Sequence, residues 1–343
     1  MEETMDYKKS GVDIKAGEES VNRIKPMVKS TFNKNVLTQI GGFGGLYQVD
    51  LAKWKEPVLV SSADGVGTKI MVARMAGIYN TVGQDLVNHC VNDIFVQGAI
   101  PQYFLDYIGV GKLKPEIIEE IISGFVLACR ENEMALIGGE MAEMPGIYSP
   151  EDFDLAGTIV GLVEKSKIIT GEKIVEGDVV LGFNSTGLHT NGYSLARAII
   201  FDILKLNVDS ILPGLNKTVA EALLAIHKSY LPLLVDFADP EKIHGMAHIT
   251  GGGIPGNLKR VIPDGLCAVI DSNSWEVPEL FKLLVDAGNV DALESFSAFN
   301  MGIGYTVVCP ERIATDIMRR SSAIKIGVIE QKINADKVNL INI

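Results

Sequence analysis

Apolar and polar positions follow two rhythms along the chain, and the changes of rhythm mark its elements. The first 50 residues hold no sustained period and read as irregular, dotted with glycine and ending in GGFGGLY at 41–47. The apolar run PVLVSSA at 57–63 predicts a strand opening into the loop DGVGTK at 64–69. Residues 81–97 read as a helix and YFLDYIGVG at 103–111 as a strand. Pro115 opens the next helix, where its missing N–H costs nothing, and Ile118, Ile121, Ile122, Phe125 and Val126 recur at helical spacing. ALIGGE at 135–140 and DLAGTIVGLVEK at 154–165 read as strands.

SKIITGEKIVEGD at 166–178 interrupts this rhythm with polar and turn-forming residues. The domain boundary is placed there, giving 1–168 and 169–343. Beyond it, strands are predicted at 179–187, 246–250, 267–271, 301–309 and 323–330, and helices at 190–206, 218–236 and 277–288. Both halves mix strands and helices, which predicts two α/β (α+β-like) domains of similar size. A length of 343 residues fits two domains of the usual size.

Composition narrows the function classes. With 47% hydrophobic and 22% charged residues the chain can bury a sizeable core, which excludes intrinsic disorder. A net charge of −12 repels nucleic-acid phosphates, so no nucleic-acid partner is expected, although a local basic pocket for a small phosphate ligand stays open. The 35 glycines point to many tight turns or to backbone lying close to a ligand. Cys90, Cys129, Cys267 and Cys309 form no CxxC pair, which excludes a zinc ribbon and a thioredoxin-type motif and fits buried thiols in a reducing compartment. The polar start MEETMDYKKS predicts no signal peptide, and no apolar stretch approaches the ~18 residues of a membrane span. A soluble, cytoplasmic protein is expected.

Candidate chemistry sits in the loops and on one helix. Neither DGVGTK nor GGFGGLY has the GxxxxGK[ST] order of a P-loop. Gly251, Gly253 and Gly256 match GxGxxG, with Asp271 downstream, but Pro263 ends the following segment too soon for a dinucleotide crossover helix. A phosphate-binding turn or a plain structural turn is left. Asp64 follows an apolar strand, Glu140 and Glu143 follow another, and Asp85, His89 and Asp93 share one face of the predicted helix, beside Asn92. Carboxylates so placed either converge on a hard cation such as Mg²⁺ or belong to ordinary turns and a solvated face. Lys69 can reach a phosphate as a point charge, whereas Lys25 reads from composition as a surface lysine. His189, in the polar turn STGLHTNGYS, reads either as an exposed general acid or base at a strand end or as a helix-capping loop residue. His227, His244 and His248 have no metal-like spacing and read as structural.

Several stretches, taken together, resemble the phosphoribosylformylglycinamidine cyclo-ligases, or AIR synthetases. They are YKKSGVDIKAGEESVNRIK (7–25), GGFGG (41–45), DGVGTK (64–69), DLVNHCVNDIFVQGA (85–99), FLDYIGVGKL (104–113), GGEMAEMPGIY (138–148), STGLHTNGYSLAR (185–197), HITGGGIPGNLKRVIP (248–263) and FNMGIG (299–304). The resemblance runs end to end; Ala63 departs from it, standing where the family often has Thr. It implies a two-domain AIR-synthetase-type fold whose N-terminal sheets pair in a homodimer. It also implies ATP- and Mg²⁺-dependent ring closure of formylglycinamidine ribonucleotide, by phosphorylation of the formyl amide oxygen and attack of the amidine nitrogen. By the same resemblance Asp64, Asp93 and Glu140 look like metal ligands. Lys25, Gly42, Gly44, Gly45, Asp64, Lys69 and Asn92 look like ATP-site residues, which reverses the compositional reading of Lys25. His189, Asn191, Gly251, Gly252 and Gly253 look like substrate-site residues. The resemblance also makes His189, with Lys25 and Asp93, the catalytic candidates, His189 moving the ring-closure proton. The alternatives are selenophosphate synthetase or thiamine-phosphate kinase types of the same superfamily, or a non-catalytic nucleotide-binding scaffold. The first cysteine is Cys90, which argues against the selenophosphate type, whose reactive residue lies in an N-terminal loop.

Overall fold

A computed structural model describes residue 7 and residues 10–332 and 336–343; residues 1–6, most of the polar start, and Lys8 and Lys9 of the first motif block lie outside the described residues. The chain forms two compact units, one of residues 1–91 with 101–162, the other of 92–100 with 163–343. Residues 92–100 and 163–168 thus cluster with the second unit, whereas the sequence boundary assigns them to the first domain.

The first unit holds a four-stranded sheet of β1 (Pro57–Gly65), β2 (Ile100–Val110), β3 (Ala135–Glu143) and β4 (Phe153–Glu164), in the order β1-β4-β2-β3. β2 and β3 run parallel with Asp106 opposite Gly139, after an irregularity at Phe104/Leu105. Four helices accompany it: α1 (Ile14–Lys29), α2 (Lys69–Ala76), α3 (Asn80–Phe95) and α4 (Pro115–Glu131). α1 corrects the reading of 1–50 as irregular. Asp13 caps it, its carboxylate accepting from the Lys15 and Ala16 N–H groups, and the helix packs on α4 and β3. Glu143 holds its entry, accepting from the N–H of Asp13 (2.6 Å) and of Leu113 (2.8 Å).

α4 buries Ile118, Ile121, Ile122 and Phe125, the stripe its spacing predicts. α3 and α4 meet backbone to backbone. A Cβ on Gly83 would collide with the Ile121 carbonyl, and one on Gly124 with the Asn80 carbonyl.

The second unit is built on a six-stranded sheet of β5 (Val179–Asn184), β6 (Gly245–His248), β7 (Leu266–Asp271), β8 (Ile303–Cys309), β9 (Ile324–Gln331) and β10 (Val338–Ile341), ordered β10-β7-β9-β5-β8-β6. Only β10 with β7 is parallel; the other pairs run antiparallel. Around it lie α5 (Tyr193–Arg197), α6 (Val219–Leu223), α7 (Leu231–Leu234), α8 (Gly253–Leu258), α9 (Glu279–Gly288), α10 (Ala292–Ala298) and α11 (Glu311–Arg320).

Two predicted helices are corrected here. The helix expected over 190–206 starts only at Tyr193, after Gly192 at φ +75°, and continues from α5 as a π-helical turn over Ala198–Ile203. The helix expected over 218–236 is broken between α6 and α7. The broken stretch turns its backbone outward from the helical ladder, where Asn92 takes up the Lys228 C=O and the Tyr230 N–H. Among the described residues no helix is long and apolar enough to cross a membrane.

The α3–α4 crossing yields a stability prediction. Gly83→Ala should lower unfolding free energy by about 1–3 kcal/mol through overpacking, read as a shifted urea midpoint. An unchanged midpoint would mean that the two backbones can part at no cost.

Candidate active site

In the first unit the loop after β1 places Asp64 beside α3. Asp64 Oδ1 accepts from the Gly65 N–H (2.7 Å), and Oδ2 lies 2.8 Å from His89 Nε2. The Asp64 side chain is still 45% exposed, so the carboxylate keeps an outward face. Lys69, expected to reach a phosphate, is instead enclosed: both it and Asp85 are fully buried, 2.8 Å apart. Burial pulls the Lys69 ammonium down from its ordinary pKa, and the Asp85 charge opposes that.

Glu140, at the exposed end of β3, accepts from the Met141 N–H (3.0 Å) and lines a cavity of about 550 Å³. Gly42, Gly44 and Gly45 border the same cavity, so the structure brings the glycine loop and Glu140 together. α1 contributes Ile24 and Val28 to its wall, while the neighbouring Lys25 is exposed.

The second unit carries a polar chain through its core. Asn92 is fixed by backbone, its Oδ1 accepting from the Tyr230 N–H (2.9 Å) and its Nδ2 donating to the Lys228 C=O (2.8 Å). Nδ2 also lies 3.2 Å from His227 Nε2, which is therefore an acceptor. His248 Nε2 lies 2.9 Å from that same nitrogen. The other ring nitrogen of His248, Nδ1, lies 2.8 Å from Asp93 Oδ1, so His248 joins this chain to that carboxylate. Asp93 is 26% exposed at its side chain, so this chain of polar groups reaches the surface there.

His189 departs from its expected exposure. It is fully buried at φ +61°, its Nε2 accepts from the Thr186 N–H (3.2 Å), and its ring stacks on His227 at 4.0 Å. Gly304 makes the room, since a Cβ there would strike the Tyr230 hydroxyl and the His189 ring. His227 and His248, read from spacing as structural, are thus joined to three predicted site residues, Asn92, Asp93 and His189. No local signal reveals this, because His248 lies 21 positions from His227 and 155 from Asp93.

The glycine run at 251–253 is braced from within. Gly251 N–H donates to Asn191 Oδ1 (3.0 Å), Gly252 N–H to the Ser297 carbonyl (3.0 Å) and Gly253 N–H to the Thr250 carbonyl (3.0 Å). Asn257 Nδ2 donates to the Gly253 carbonyl (2.8 Å). Asn191 and the glycines are therefore brought together, but by bonds that already occupy the glycine N–H groups.

Two domain matches, one in each half of the chain, place it in the AIR synthase related class. Residues 49–163 match the model of the AIR synthase related protein N-terminal domain, and residues 175–335 that of its C-terminal domain. A Geotalea daltonii protein named phosphoribosylformylglycinamidine cyclo-ligase is 48% identical over 318 residues, covering 93% of this chain and 91% of its own. The chain belongs to the phosphoribosylformylglycinamidine cyclo-ligase family. Among solved structures, a thiamine-monophosphate kinase from Stenotrophomonas maltophilia K279a shares the fold at TM-score 0.70 and 16% identity, covering 93% of this chain and 96% of that one. The hydrogenase maturation protein HypE in complex with ATP shares it at TM-score 0.66 and 17% identity, covering 93% and 90%.

The Lys69–Asp85 pair sets a test of its own. Lys69→Met removes the ammonium that faces a buried carboxylate and should cost about 3–5 kcal/mol, whereas Lys69→Met with Asp85→Leu should recover most of that loss. Denaturant titration of the two proteins checks this; equal stability of single and double variants would show that Asp85 finds another partner.

Proposed function

We propose that this protein closes the imidazole ring of 5-aminoimidazole ribonucleotide from formylglycinamidine ribonucleotide, consuming ATP and releasing ADP and phosphate. The observation that carries the reading is 48% identity to a named cyclo-ligase over nearly the full length of both chains. The reaction has a plain physical logic. An amide oxygen leaves poorly; once the γ-phosphoryl group is on it, the carbon–oxygen bond breaks with phosphate as leaving group. The amidine nitrogen, held against the same carbon, forms the new C–N bond in an intramolecular step.

The nucleotide is assigned to the first unit, over the loop of Gly42, Gly44 and Gly45, with the exposed Lys25 as its free cation. Lys69 and Asn92, both already bonded inside the protein, shape the site rather than touch phosphate. Asp64, Asp93 and Glu140 would hold Mg²⁺. Their oxygens are the hard donors this ion takes, and each carboxylate has a solvent-reaching side. When bound, the ion offsets charge on the transferring phosphoryl group.

Proton handling in ring closure is assigned to the His248–Asp93 end of the buried chain. His189, sealed from solvent, is a positioning residue that acts through its stack on His227. The turn of Asn191 with Gly251, Gly252 and Gly253 is assigned to the substrate's ribose phosphate, through the Asn191 side chain, because the glycine N–H groups are taken. We further propose a homodimer paired through the first unit's sheet, where β1 is an edge strand and Leu59 is exposed. Four free, buried cysteines fit a reducing cytoplasm.

ADP release should require both Mg²⁺ and formylglycinamidine ribonucleotide. Turnover driven instead by thiamine phosphate or selenide would move the chain to a sister activity, and ATP binding without turnover would make it a scaffold.

Asp93→Asn keeps the side chain's size but removes its charge from both His248 and the ion. It should lower kcat by roughly 10²–10⁴, the usual contribution of a positioned proton-transfer group, with the fold intact by circular dichroism. Wild-type turnover at low Mg²⁺ would make Asp93 an ordinary surface acid.

A further inference from the structure

The cavity under the glycine loop is mostly carbon. α1 presents Ile24 and Val28, α4 presents Ile118 and Ile122, and β3 presents Leu136. Its volume of about 550 Å³ suits a purine nucleoside. One acid enters it from the same face of β2 as the buried Phe104 and Ile108: Asp106. Gly139 on the next strand leaves the space for it, since a Cβ at 139 would collide with Asp106 Oδ1. Among the described residues the partner found for the Asp106 carboxyl is its own backbone N–H. An acceptor and donor so placed, facing an apolar cavity with no side-chain partner, is a reader waiting for a polar edge.

We propose that Asp106 reads the base of the nucleotide: in its carboxylic-acid form it donates to N1 of adenine and accepts from the 6-amino group. The inference rests on the assignment of ATP to this cavity. Ionised, the same group has no proton for N1 and faces that lone pair unfavourably, whereas the N1–H and 2-amino donors of guanine suit a carboxylate.

The surroundings keep the acid form within reach. Burial raises the Asp106 carboxyl to about 7. The titratable groups facing it are few. α1 and the glycine loop bring no charge to the cavity, and α4 brings the buried Cys129 thiol, itself pushed up by burial and by Asp106. Glu140, whose register partner on β2 is Tyr107, lines the same cavity, and its carboxylate is the other charged side chain on the cavity wall among the described residues. Because the folded-state value is raised, the proton that adenine needs is present below about 7 and is lost as pH rises through it.

The test is calorimetric affinity for MgATP and MgGTP from pH 6 to 9, on the full chain as wild type, Asp106→Asn and Asp106→Leu. The Asn amide offers one donor and one acceptor at every pH. The wild type should lose ATP affinity by roughly tenfold per pH unit once the carboxyl ionises, and its preference for ATP over GTP should shrink with it. Asp106→Asn should bind ATP within about threefold of wild type at pH 6.5 and hold that affinity at pH 8.5, while Asp106→Leu should lose about tenfold or more. Ionisation of the γ-phosphate is common to all three proteins and cancels in their ratios. A wild-type profile parallel to that of Asp106→Asn, or wild-type affinity in Asp106→Leu, overturns the proposal. If ADP release still depends on formylglycinamidine ribonucleotide in that case, only the base-reading role has failed. If that release is absent but the ATP profiles behave as expected, the reaction assignment has failed and Asp106 stands.

Discussion

Helix α3 is buried along almost its whole length, yet it carries Asp85, Asn88, His89, Asn92 and Asp93. Leaving one buried polar group unbonded costs about 1–3 kcal/mol, and an unpaired charge costs more. The chain therefore has to bring a partner to each. Lys69 pairs with Asp85, the Asn132 amide donates to Asn88 Oδ1 (2.9 Å), and His89 meets Asp64. The Lys228–Tyr230 backbone holds Asn92, and His248 holds Asp93. These partners come from the loop after β1, the end of α4, the break between α6 and α7, and β6. The helix reaches its buried state only when those distant segments are in place.

The same constraint prepares chemistry. Groups that must be paired to be buried are also held in one orientation, and side chains that act on substrates need that rigidity. At Asp64 and Asp93 each carboxylate keeps part of its surface in water while its partner histidine lies inside. Such partly exposed ends offer oxygens to a cation or a reacting group without dismantling the core. Asp106 follows the opposite logic: half-buried on the cavity wall, it has its own backbone N–H as the partner found among the described residues, and desolvation raises its carboxyl.

Most of the architecture was legible in the sequence because it rests on local periodicity. β1 to β9 fall at or within a few residues of the predicted strands, and α4 shows its stripe and its Pro115 start. α1 was legible in principle, through Asp13 and the Val21, Ile24 and Val28 spacing, but Gly17 and Pro26 mask it as a broken segment. The π-helical turn after α5 and the break after α6 were not, since long-range bonds to Asn92 and packing decide them. In the candidate site, acids and glycines announced themselves by type and by their place at strand ends. The histidine stack did not, because His189, His227 and His248 meet only after the sheet of the second unit has formed. The burial of Lys69 also escaped local reading: its partner Asp85 lies on another helix, and a lysine after a glycine loop looks alike whether it faces phosphate or a buried acid.

The central chemical claim is that the formyl amide oxygen leaves as phosphate. It is tested most directly by following that atom. Formylglycinamidine ribonucleotide labelled with ¹⁸O in the formyl group should transfer its label to the inorganic phosphate, at one ¹⁸O per ring closed. Label found in water, with unlabelled phosphate, would contradict the account, because the oxygen would then have departed without ever being phosphorylated.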